Sequence, residues 1–131
     1  MIDEAPSPAK LDLIRRFLRA NGIQREIDTG SFLQRFVMTP AFSETTATVG
    51  QAIEALKGAY ERHRAQWQEE YERHANWEFT EHELGTIVAF LEGPVGQHFL
   101  EGGWRMKAYV GSTLEAVADA IIREAAASFT T

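Results

Sequence analysis

The chain has no cysteine, and its 131 residues include only four prolines. Without thiols, disulfides, thiolate catalysis and cysteine zinc sites are excluded together. A cysteine-free chain is stable in either redox environment, so this absence names no compartment. Long hydrophobic runs are also missing. The longest, Ile87 to Leu91, is far short of the ~20 apolar residues that span a bilayer. Met1 to Lys10 is polar, interrupted at Pro6 and Pro8, and holds no signal-peptide core. Positive charge is scarce: 19 Asp and Glu face 13 Lys and Arg, a net −6. Residues 1–42 carry six basic and five acidic side chains, while 43–131 carry seven and fourteen. Nucleic-acid affinity rests on cations that displace counterions, so a nucleic-acid partner is not expected. Arg15, Arg16 and Arg19 form a small basic patch, read as the solvated end of the first helix.

Catalytic signatures are absent as well. The five serines lie outside any Gly-x-Ser-x-Gly elbow, and neither a Gly-x-Gly-x-x-Gly fingerprint nor a phosphate loop occurs. The free amides where Gly93-Pro94-Val95-Gly96 opens a helix could hold an anion, but Pro94 lacks an amide and Glu92 repels one.

What remains is a globular composition, 44% hydrophobic and 24% charged, at the size of one domain. Its periodicity is helical. Ser7-Pro8 caps and starts a first helix with Leu11, Ile14 and Leu18 at helical spacing, and Asn21-Gly22 stops it. A second helix is predicted from about Gln24 to Met38, weakened by Gly30 and closed by Thr39-Pro40-Ala41. A third, from about Glu44 to His74, turns Val49, Ile53, Leu56, Tyr60, His63, Trp67 and Tyr71 inward. Thr80 and Glu83 form a capping box for a short fourth helix that buries Leu84, Ile87, Val88 and Leu91. Gly93-Pro94 opens a fifth, reaching about Ala127, along which Val95, Phe99, Met106, Val110, Val117 and Ile121 make one apolar stripe. Gly102-Gly103 inside it marks a kink or a close helix approach.

The four histidines do not make a metal site by spacing. No two are three or four residues apart, and none stands in Glu-x-x-His. His63, Trp67, Glu70 and His74 share one face of the third helix, where the expected outcome for Glu70 and His74 is an exposed ion pair. His63 lies on the apolar seam, so a buried, hydrogen-bonded histidine is expected. The aromatics Tyr60, Trp67, Tyr71, Trp77, Phe99 and Trp104 read as core, with an apolar cavity wall as the alternative.

Residues 79–100, FTEHELGTIVAFLEGPVGQHFL, resemble the signature region of the bacterial domain of unknown function 2059 family. The pattern falls on Phe79, Thr80, Glu83, Leu84, Phe90, Gly93, Pro94 and Gly96. Gly93 stands where a Ser cap is more usual, and Gly102-Gly103 where relatives have a single helix breaker. The resemblance implies an all-α fold and export to the periplasm, with Ile2 to Pro8 opening the mature chain. A cytoplasmic address is the alternative. It implies no activity, no cofactor and no catalytic residue.

The expectation is an all-α chain: one compact bundle of about five helices over residues 1–131, with residues 1–7 as a disordered tail. The third and fifth helices are long antiparallel partners, with the fourth between them. The function expected is a non-enzymatic binding or protein-interaction domain of the bacterial envelope, with no metal and no catalytic residue. The alternative is a carrier in which Tyr60, His63, Trp67, Phe99 and Met106 line a cavity for a small apolar ligand. Tyr109, Val110 and Leu114 broaden the last helix's stripe and make it a candidate homodimer surface.

Overall fold

A computed structural model describes residues 4–37 and 40–130. Among these residues every regular element is helical. The order is α1 (Pro8–Ala20), α2 (Ile23–Thr29), a 3-10 helix (Ser31–Phe36), α3 (Pro40–Ser43), α4 (Val49–Glu61), α5 (Arg64–Glu78), α6 (Glu81–Leu91), α7 (Pro94–Thr113) and α8 (Glu115–Ala127). The fold is therefore all-α, with nine helical segments among the described residues where about five were expected. The chain divides into two compact units, residues 1–92 and 93–131.

Local chemistry sets most of the boundaries in the first unit. The Ser7 side chain accepts from the Lys10 amide at 3.1 Å, and Pro8 fills the first turn of α1. Gly22 takes φ 88° to end that helix, while Asn21 Oδ1 accepts the Ile23 amide at 2.9 Å. The predicted second helix is cut short because Gly30 adopts φ 63°, after which the chain tightens into the 3-10 turn. Its expected end at Met38 and Thr39 lies outside the described residues. Of the expected tail, residues 1–3 are outside them too. Glu4 and Ser7 are tied down: the Glu4 carbonyl accepts from Asn76 at 2.8 Å, and Ser7 donates to Glu81 at 2.9 Å.

The long helix expected over 44–74 is two helices. α4 begins at Thr48, which forms a full capping box with Gln51. At Arg62 and His63 the amides bond the carbonyls three residues back, at 3.2 and 2.8 Å. The turn lets α4 pack on the 3-10 helix while α5 lies on α1 and α2. It also puts His63 in solvent, not on the apolar seam, and Val49 is exposed rather than inward. α6 follows the reading closely, with Thr80 and Glu83 exchanging bonds of 3.1 and 2.9 Å.

The core sits where α1 meets α5 and α6. Ile14, Leu18, Ala75 and Leu84 are buried together, sealed by Leu13, Phe17, Ile23 and Phe79. Phe17 and Phe79 meet edge to face at 5.5 Å. Arg16 grips Glu92 through two bonds of 3.1 and 2.6 Å, joining α1 to the residue after α6. Thus α1, and not the third predicted helix, is the central element of this unit.

The second unit is α7 followed by α8. α7 continues without interruption through Gly102-Gly103, and a Cβ built on Gly103 meets nothing within 4 Å. The break comes instead at Leu114, whose φ and ψ are −101° and 17°. Helical bonds still bridge it, from the Leu114 amide to Val110 and from the Ala118 amide to Leu114, both 2.9 Å.

Candidate functional site

The five residues proposed to line a cavity are distributed as follows. Tyr60 and Trp67 are together, 5.6 Å apart edge to face, with Phe32 completing a triangle at 5.7 and 5.8 Å. Tyr60 is buried, and its hydroxyl donates to the Ile27 carbonyl at 2.5 Å. Burial pushes this phenol's pKa above its ordinary value. Gly30 lies against the ring, where a Cβ would stand 2.8 Å from Cε2. The three rings pack on one another around buried Tyr60, with Phe32 and Trp67 half-buried. His63 is exposed, with Nδ1 3.2 Å from Gln66 Oε1. Phe99 and Met106 belong to the second unit and are exposed.

One groove lies along α5. It has a volume of about 340 Å³ and is lined by Gln66, Trp67, Glu70, Tyr71 and His74. Trp67 is its one residue from the predicted set of five. His74 Nε2 stands 3.4 Å from Glu70 Oε2, both side chains more than half exposed, and Glu70 also pairs with Arg73. His74 packs edge to face on Trp77 at 4.9 Å. The indole Nε1 of Trp77 is buried with no hydrogen-bond partner. Among the described residues no three His, Asp or Glu are gathered so as to hold a metal ion.

Charge on the first unit is spent on fixing its helices. Arg64 donates to Asp28 and Gln24 joins at 3.0 Å, holding the Asp28 carboxyl below its usual value. The Arg16 bonds do the same to Glu92, and the Thr80 amide and hydroxyl do so to Glu83.

The second unit offers a surface. On α7 and α8, Met106, Tyr109, Val110, Leu114, Val117 and Ile121 are each between 48% and 68% exposed. At helical spacing they share one side, whereas Glu101, Arg105, Glu115, Asp119 and Arg123 share another. Glu101–Arg105 and Asp119–Arg123 are ion pairs within single helices, at 3.8 and 2.9 Å. No described helix is long and apolar enough to cross a membrane.

Compared with known proteins, the chain matches no family model, no curated protein and no solved structure.

Proposed function

We propose that the chain is a non-enzymatic protein-interaction domain that docks through the apolar side of α7 and α8. One observation carries the reading: large apolar side chains from Met106 to Ile121 stand in water along one side of an amphipathic helix. Contiguous apolar surface of this kind is uncommon on soluble monomers and marks interaction sites. A helix with so broad an apolar side takes its stability from packing rather than from propensity. The first unit then acts as the folded body that carries this surface. What supports an address in the bacterial envelope is the resemblance of residues 79–100.

A photocrosslinking side chain at Tyr109 or Val117, in cells making the protein, tests this. Crosslinks to protein are expected from both positions, and not from the same group at exposed Glu69 on α5. Equal labelling at all three positions, or none, overturns it.

The α5 groove favours a second reading, a site for a small apolar ligand between Trp67, Tyr71 and His74. Its volume lies near the lower end for small-molecule pockets. Native mass spectrometry of gently purified protein tests it: a reproducible bound mass that Trp67→Ala abolishes is expected, and a bare chain overturns it.

A further inference from the structure

We infer that the occupant of the α7–α8 surface is a second copy of this chain, the two helices pairing antiparallel about a two-fold axis at the Thr113–Leu114 step. This rests on the reading of that surface as a docking face. A two-fold interface is self-complementary: if residue i meets residue j, then j meets i. Four of the six apolar positions have that property. Met106 and Val110 precede the Thr113–Leu114 step by the same intervals at which Val117 and Ile121 follow it. An antiparallel pair centred there sets Met106 of one copy on Ile121 of the other and Val110 on Val117. The centre coincides with the break between α7 and α8, so α7 of each copy lies along α8 of the other.

Area agrees with this arrangement. Complete covering of the exposed parts of these six side chains gives at most about 600 Å² per copy and about 1,200 Å² in the pair. That reaches the lower end for a specific, stable interface. An anionic lipid surface fits less well. Interfacial helices carry an excess of Lys and Arg, and residues 93–131 hold three basic against four acidic side chains.

Sedimentation equilibrium of the full chain over the micromolar range is the test. The expected mass is twice 14.7 kDa. Val117→Glu, which buries two carboxylates opposite Val110, should weaken the pair more than ~tenfold. It should leave the urea unfolding of the first unit unchanged. The absence of native cysteine makes orientation readable by single substitutions. Leu114→Cys should form a disulfide-linked pair under mild oxidation. Met106→Cys and Ile121→Cys should each fail alone and crosslink when mixed. A monomer at every concentration, a dimer indifferent to Val117→Glu, or self-crosslinking through Met106→Cys overturns the inference. Capture of the monomer by anionic vesicles would overturn it in favour of lipid. A monomer that still crosslinks through Tyr109 to a different protein removes the second copy and leaves the docking face standing. A monomer without such crosslinks removes both.

Discussion

Tyr60 donates its hydroxyl to the main-chain carbonyl of Ile27, 33 residues earlier, at 2.5 Å. That bond holds α4 to the end of α2, and both groups are enclosed. Removing the hydroxyl with Tyr60→Phe keeps the ring against Phe32 and Trp67 but leaves the carbonyl without its partner. The expected loss is about 1–3 kcal/mol, the cost of an unsatisfied buried polar group, measured as a lower urea midpoint with unchanged helicity.

Two glycines should respond in opposite directions to alanine. Gly30 has a positive φ and no room beside Tyr60, so Gly30→Ala meets both backbone strain and a clash. It should destabilise the first unit by more than ~1 kcal/mol. Gly58 is inside α4, and a Cβ there meets nothing within 4 Å. Gly58→Ala should stabilise by about 1 kcal/mol. Paired thermal melts decide it, since both variants moving the same way would contradict the geometry.

The capping boxes of α4 and α6 are chemically alike, with Thr48 and Gln51 in one and Thr80 and Glu83 in the other. Thr80→Ala should cost about 1 kcal/mol. Because Leu84, four residues on, is fully buried in the core, the loss should appear in global unfolding and not only as fraying. Urea denaturation followed by tryptophan fluorescence checks this.

Acid should dissolve the Arg16–Glu92 clasp selectively. Arg16 holds the Glu92 carboxyl below its ordinary 4.5. A carboxylate with a depressed folded pKa binds fewer protons than in the unfolded chain, so its contribution is complete above that ordinary value. It is lost as pH falls through the lower, folded value. The difference in urea midpoint between the native chain and Glu92→Gln should therefore be constant near neutrality and vanish in strong acid. A difference that grows on acidification would contradict the pairing.

Much of the first unit was legible because its signals are local. Ser7-Pro8, Asn21-Gly22 and Thr80 with Glu83 each act within a few residues and mark a helix end in the structure, as Gly93-Pro94 does at the start of the second unit. Thr48-x-x-Gln51 is the same kind of signal, and it sets the start of α4 beyond the expected Glu44. The turn at Arg62–His63 had no such signal, since nothing there disfavours a helix. It is set by which neighbours α4 and α5 pack on, and it moved His63 out of the seam that periodicity had assigned to it. Gly102-Gly103 shows the reverse: a local signal for a break that the helix overrides, the interruption falling instead at Leu114. The candidate surface was visible as a stripe through Met106, Val110, Val117 and Ile121. Periodicity tells which side of a helix is apolar, but not what covers it; in the structure the stripe is exposed.

The packing of α1 against α6 has a consequence during synthesis. Arg16 and Glu92 are 76 residues apart. At translation rates of about 5–20 residues per second, α1 leaves the ribosome roughly 4–15 s before its principal partner exists. Through that interval Ile14 and Leu18 lack Leu84 and are closed only in part, by Ile23 and later by Ala75. The burial of α1 is thus completed only when residues 81–92, made well after it, have emerged.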